Sequence, residues 1–570
     1  MPMKELASRG LLALAAVAIG FAAADTYVVV LALPDMMTAA GLTVADLQKA
    51  APIISGFLLG YVAVLPLIGR VSDLRGRVPV LTGCLVVFAI GSVITAAGYD
   101  LPTIVLGRLI QGIGGGGLIP PTLALIADTW PAERRGMPLG IIGAVQELGS
   151  VVGPLWGAAI LAFGTWHDIF WLNAAVGLAI AAALLRHRPA ERTRVGDLWG
   201  VALALAASAC LVLVMLEPES LTTGVTSGLA FLPVVGESRW LTPLALVGYA
   251  FLVAFVVRQA TAARPLLGWR SWGEIARETD LWGAAALTVA LGAVILTFAS
   301  AEPEKAVLAE DAVILLPIAA VALAAFVWRG RRAAHPLIPR GSLTATPAWG
   351  SIAVSFFVGA ALIAALVDIP FFARLTIAPD DQLEAALVLV RFLVALPVGA
   401  VLGGWLLRHV SAGPLTAGAL ILSGASFLVM GTWDASALES VSSTVVLAAC
   451  GLGFGLAIAP VNAALLEHTA PDVHGLASAL LVVARMVGML IGISALTTVG
   501  LRAFHSAAAK VPSVEELCGG SSTACGAYTD ALRDAGIAQL QAVFTGAAVA
   551  AFIAAALALL TLRRRATFSA

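Results

Sequence analysis

Runs of about 20 apolar residues recur along the whole of this 570-residue chain, and no other feature constrains its fold as strongly. A run of that length crosses the hydrocarbon layer of a bilayer as one helix. Inside that layer only helices and closed barrels satisfy their own backbone, and a barrel strand is about half as long. The first run is Leu11–Leu33 and the last Val543–Leu562, and the sequence reads as about sixteen spans, with fourteen as the alternative. Only 12% of residues are charged, against roughly 25% in a soluble domain. The fold class is therefore an all-α polytopic membrane protein.

Arginines fix the orientation. Arg70, Arg75 and Arg77, then Arg134 and Arg135, then Arg186 to Arg194, Arg329 to Arg332 and Arg563 to Arg565 all fall in alternate loops. The positive-inside rule makes those loops cytoplasmic, and an even number of spans puts both termini there too. Lys4 and Arg9 ahead of an apolar run ending in Ala22-Ala23-Ala24 resemble a secretory signal. The run resumes through Val28–Leu33 to spanning length, so this segment is expected to stay as a helix.

The middle of the chain repeats itself. Asp197-Leu198-Trp199-Gly200 recurs as Asp280-Leu281-Trp282-Gly283, and each copy opens an Ala/Leu-rich run that leaves through Glu-Pro. This reads as a duplicated two-helix hairpin, which returns to its starting side and leaves the flanking topology unchanged. Three units follow: a six-helix bundle at 1–196, four additional helices at 197–340, and a second six-helix bundle at 341–570 with an external loop at 502–541.

Charged residues inside such spans are costly and mark function. Asp25, Arg108, Glu147 and Arg485 are the candidates. Between two spans, Gly69-Arg70-Val71-Ser72-Asp73-Leu74-Arg75-Gly76-Arg77 combines glycines for a tight turn with an acid. Asp73 is suited to accept hydrogen bonds from a neighbouring helix N-terminus and from Arg75 or Arg77. Such a latch would favour an outward-facing state. Gly149, Gly153 and Gly157 lie four apart on one helix face, where a neighbour can approach closely, with Pro154 among them.

These patterns resemble the major facilitator superfamily. The Gly69–Arg77 loop is similar to its loop signature, and Arg108 with Gln111 and Gly112 to its fourth-span motif, in which an arginine assists proton transfer. Asp25-Thr26 running into Leu33-Pro34-Asp35 resembles the first span of the fourteen-span drug:proton antiporters, and Gly149 to Gly157 their fifth-span antiporter motif. Around Asp25, Glu147, Ala395 to Trp405 and Arg485, the resemblance extends to the mycobacterial triacylglyceride-exporting transporters that work with a periplasmic lipoprotein.

The resemblance implies a proton-coupled exporter of lipid or another hydrophobic compound, working by alternating access in a bacterial inner membrane. Asp25, Glu147, Arg485 and Arg108 would serve proton coupling, and the chain would act as a monomer that hands cargo to a lipoprotein carrier. Val514–Leu517 and Tyr528–Leu540 would extend two helices beyond the membrane for that transfer. Two departures stand out: the family has fourteen spans, and the second-block loop Gly404-Trp405-Leu406-Leu407-Arg408 lacks the acid.

Cys518 and Cys525 in the external loop are expected to form a disulfide, whereas Cys84, Cys210 and Cys450 lie in spans. Without a phosphate loop, a metal-spaced His/Cys cluster or a nucleophile elbow, no enzyme, cofactor or metal is expected. A net charge of −1 gives no footprint for nucleic acid. Multidrug:proton antiport of amphiphilic cations is the alternative function. A non-transporting receptor would leave the embedded charges without a use.

Overall fold

A computed structural model describes residues 2–42, 47–186, 197–262, 278–299, 311–377, 382–512 and 526–562, with isolated positions between 265 and 273. The described residues are almost entirely helical. The first block contains α1 (Pro2–Ala39), α2 (Leu47–Ala63), α3 (Leu65–Arg75), α4 (Arg77–Ala96), α5 (Leu101–Gly116), α6 (Ile119–Thr129), α7 (Gly136–Phe163) and α8 (Trp166–Leu185). Between the blocks lie α9 (Leu198–Leu216), α10 (Pro243–Thr261), α11 (Leu281–Ala299) and α12 (Ala312–Arg332). The second block holds α13 (Thr346–Thr376), α14 (Gln382–Leu393), α15 (Ala395–Leu406), α16 (Ala412–Met430), α17 (Val441–Glu467), α18 (His474–Ala508) and α19 (Gly526–Thr561).

Fourteen helices are long and apolar enough to cross a membrane, and the bent pair α2/α3 makes fifteen. The remaining run, in α1, contributes a shorter apolar stretch, Gly10–Thr26. Prolines explain where the runs read as single spans break. Pro66 enters α3 just past the break at Val64, where the chain turns by 41°. A proline removes one backbone bond and crowds the preceding turn, so the helix restarts there. Pro120 and Pro121 open α6 in the same way, and Pro397 follows the break between α14 and α15.

Packing joins the helices within each block. In the first block α1 packs on α7, α4 on α5 and α8, and α2 on α5; in the second, α13 packs on α18 and α19, and α16 on α17 and α19. The blocks meet along two lines, α3 with α18 and α7 with α15. The second core is built around aromatic side chains, with Phe372, Phe427, Trp433 and Phe544 in mutual edge and stacked contacts. Helices α18 and α19 have 35 and 36 residues. At 1.5 Å per residue each is about 50 Å long against a hydrocarbon layer of about 30 Å. They therefore outreach the bundle at the end away from Asp73.

The repeated Asp-Leu-Trp-Gly motif has a structural cause. Asp197 caps α9 by accepting from the Gly200 amide (3.0 Å), and Arg258 at the end of α10 donates to it at 2.9 Å. Asp280 caps α11 through Gly283 (3.0 Å) and takes Arg329 of α12 at 2.9 Å. A side chain at Gly283 would meet the Asp280 carboxylate at 2.5 Å, so the glycine keeps the cap open to the arginine. Burial pushes the Asp197 carboxyl up, but the Gly200 amide, Arg258 and Gln259 outweigh it and hold it below the usual carboxylate range. The second hairpin is fastened to the first block, with the Thr288 hydroxyl donating to the Ala63 carbonyl at 3.0 Å.

Candidate functional site

Asp25 and Arg108 lie 83 positions apart in the chain and meet in the interior of the first block. The Arg108 Nη1 donates to the Asp25 carboxylate at 2.8 Å, and their side chains are 1% and 0% exposed. Arg108 also donates to Gln111 (2.7 Å) and to the Ile53 carbonyl (3.4 Å), while Gln111 donates to the Ser92 hydroxyl (3.0 Å). The Phe57 ring covers the guanidinium at 4.3 Å. Asn173 of α8 donates to the other Asp25 oxygen. Removing one member of a buried pair like this leaves an uncompensated charge, a cost of about 3–5 kcal/mol.

Glu147 and Arg485 face each other from different blocks. Each is the twelfth residue of its helix, α7 and α18, so the two reach the same depth. The Arg485 Nη1 lies 4.0 Å from the Glu147 carboxylate, with both side chains 15% exposed. Arg485 also lines a cavity of about 30 Å³ between the blocks, together with Gln146, Ser355, Asn462 and apolar side chains. That volume holds a water or two. Gly359 and Gly488 let α13 and α18 pack backbone to backbone at and just beyond Arg485.

At the end of the bundle where α3 stops, Asp73 reaches into the other block. Its two oxygens accept from the Gly475 amide (2.8 Å) and the Leu476 amide (3.0 Å), capping the N-terminus of α18. Arg77 donates to the same carboxylate, to Asp128 at 2.9 Å, and to the Pro471 carbonyl at 3.2 Å in the opposite block. A side chain at Gly69 would meet the Gly475 carbonyl at 2.6 Å, so only glycine allows this approach. Gly76 turns the chain into α4 at φ +95°, a conformation that favours glycine. Arg75 lies in the last turn of α3.

The glycine stripe of α7 packs on α1. Positions 149 and 157 lie against Ala23 and Val28, and Gly153 against the Ala24 carbonyl, so the stripe seats the helix that carries Asp25. Helix α7 runs unbroken through position 154. Asn173 and Asp128 were not singled out from sequence; a lone amide in the apolar run Trp171-Leu172-Asn173-Ala174 was the available signal for the first. Asp368 within α13 is a further acid at membrane depth. Cys518, Cys525 and Val514–Leu517 lie outside the described residues, and Tyr528–Leu540 is helical within α19. Among the described residues no group of His, Cys, Asp or Glu is arranged to hold a metal.

A family model described as Major Facilitator Superfamily matches residues 15–328. The triacylglyceride transporter of Mycobacteroides abscessus is 34% identical over 496 residues, covering 85% of this chain and 80% of that protein. The triacylglyceride transporter of Mycobacterium tuberculosis is 32% identical over 498 residues, covering 85% and 81%. Among solved structures, the human organic anion transporter MFSD10 superposes with a TM-score of 0.52 at 16% identity, covering 97% of this chain and 99% of that one. The proton:xylose symporter XylE bound to 6-bromo-6-deoxy-D-glucose gives 0.54 at 14% identity, covering 98% and 97%. Both structural likenesses concern the fold.

Proposed function

The chain belongs to the major facilitator superfamily, a multi-pass membrane transporter rather than an enzyme, and from that premise we propose that it exports triacylglyceride-like lipid by proton-coupled alternating access. The names of its relatives support the lipid as cargo. The Glu147–Arg485 pair carries the mechanism, because it is an ion pair that ties one block to the other, with Arg485 also lining the cavity between them. In this reading the units are 1–196, 197–340 and 341–570, the Asp73 end is cytoplasmic, and the membrane is the bacterial inner membrane.

Both inter-block seams are closed at the Asp73 end, which in this reading is the end shut when the transporter faces outward. A proton that neutralises Glu147 removes its attraction for Arg485, and Asp25 exchanges its proton against Arg108 in the first block. The first event changes which arrangement of the blocks is favoured, because the Glu147–Arg485 pair spans the blocks and is made in one state and broken in the other, while the second changes the charge held inside the first block. Asp73 then acts as the latch that re-forms when the cytoplasmic end closes. The long α18 and α19 reach into the periplasm, where a lipoprotein carrier would take the lipid from a monomeric transporter.

Reconstitution in proteoliposomes with an imposed proton gradient tests this reading, using fluorescent triacylglyceride and ethidium as competing cargoes. Lipid movement that Glu147→Gln and Asp25→Asn each abolish is expected. Ethidium efflux with little lipid movement would replace it with multidrug antiport, and a wild-type rate in Glu147→Gln would remove Glu147 from the coupling path.

A further inference from the structure

The second central hairpin carries features that its sister lacks. Helices α11 and α12 meet along an apolar groove of about 520 Å³ lined by Trp282, Ala286, Val289, Ala322, Ala325 and Trp328. The alanines make the hollow, and the two tryptophans stand exposed at its basic end. Arg329 lines that end as well, with Arg331 and Arg332 exposed beside it. The Arg332 guanidinium lies 4.8 Å from the centre of the Trp328 ring, and Arg340 folds back to donate to the Arg331 carbonyl at 2.6 Å.

Four arginines thus gather where, among the described residues, two acids lie close in the chain. Asp280 is buried and already engaged by Gly283 and Arg329, and Glu278 is exposed. The sister hairpin is an internal control. It has Trp199, Asp197 and Arg258 in corresponding places, and the same cap and ion pair. Where α12 has Trp328, Arg331 and Arg332, α10 has Val257, Ala260 and Thr261. The hairpin therefore closes on itself without those three residues, and a positive-inside bias asks for charge on this side but not for a tryptophan stacked with it.

Both helices are apolar enough to lie in the bilayer, and α11 turns its other face to α2 and α18. An open hollow at that depth takes an acyl chain. Tryptophans belong at the level of the headgroups, and a basic cluster between membrane helices recognises a phosphate there. We propose that the α11/α12 groove, with its Trp282, Trp328 and Arg331/Arg332 rim, is a binding site for an anionic phospholipid. This site goes beyond the transport reading and stands whatever the cargo is.

Native mass spectrometry of the whole chain, titrated with phosphatidylglycerol and with phosphatidylcholine, tests the site. The wild type is expected to retain phosphatidylglycerol in preference. In the double variant Arg331→Ala/Arg332→Ala that affinity should fall about thirty-fold, roughly a factor of five per arginine, with phosphatidylcholine unchanged. Ala322→Trp fills the hollow a turn further from the basic rim, and should weaken binding of both lipids. Trp199→Ala in the sister hairpin should change neither. Equal retention of the two lipids by the wild type, or wild-type affinity for phosphatidylglycerol in both groove variants, would overturn the proposal.

Discussion

Two seams close the same end of this molecule by different physics. Along α3 and α18, Asp73 caps the opposing helix and Arg77 bonds the Pro471 carbonyl, so the blocks share buried charged hydrogen bonds. Along α7 and α15 the approach is just as close, with the Gly136 and Gly140 positions against the carbonyls of Gly404 and Ala400, yet no ion pair crosses among the described residues. In a bilayer, bare helix contacts gain little from hydrophobicity and depend on packing. The polar seam therefore sets how strongly the closed state is favoured, while the glycine seam sets how near the blocks can come.

Asp73→Ala attacks the first seam and should have the largest effect. It orphans two buried amides and takes from Arg77 its buried carboxylate, leaving that guanidinium Asp128 and the Pro471 carbonyl, a loss of about 3–5 kcal/mol for the closed arrangement. Spin labels at Arg134→Cys and His409→Cys, both exposed and on opposite blocks, read the separation directly. Their distance distribution should move to longer values in Asp73→Ala. An unchanged distribution would show that the glycine seam alone holds the end shut.

Gly140→Val attacks the second seam. Its new Cβ would meet the Ala400 carbonyl at 2.5 Å, and backbone on both sides has little room to give. Overpacking of this kind costs about 1–3 kcal/mol. The same label pair should report partial opening that does not depend on salt. A strong salt dependence would place charge at this seam and erase the contrast.

The polar seam was legible in sequence because its parts sit in one short loop, where a glycine-acid-arginine spacing has few other uses. Glu147 and Arg485 were legible for a different reason: each is an ionisable residue inside an apolar run, where a charge is costly unless it is used. Asn173 was not, since a single amide in a helix gives no hint that its partner is Asp25, 148 positions away. Asp128 escaped because an acid at a span end usually faces water, and only the fold brings Arg77 to it. The hairpin repeat was readable from four residues whose spacing builds a cap, whereas Pro66 marks where the α2/α3 run breaks but not the 41° angle it takes there. The fold class followed from run length alone, and the ends of the bent spans did not.

Arg70→Ala gives the smallest expected effect and the sharpest test of why the polar seam holds. Arg70 shares its loop, its charge and its reach across the blocks with Arg77, donating to the Asp472 carbonyl at 3.2 Å. That contact is solvent-exposed, whereas the carboxylate held by Arg77 is fully buried. Exposed charge contacts are worth about 0–1 kcal/mol and are screened by salt. The label distances should therefore shift only slightly in Arg70→Ala, by less than about a factor of five in the closed population. If Arg70→Ala instead opened the end as far as Asp73→Ala, the seam would be held by the summed positive charge of the loop. The cap on α18 would then be a consequence of closure and not its cause.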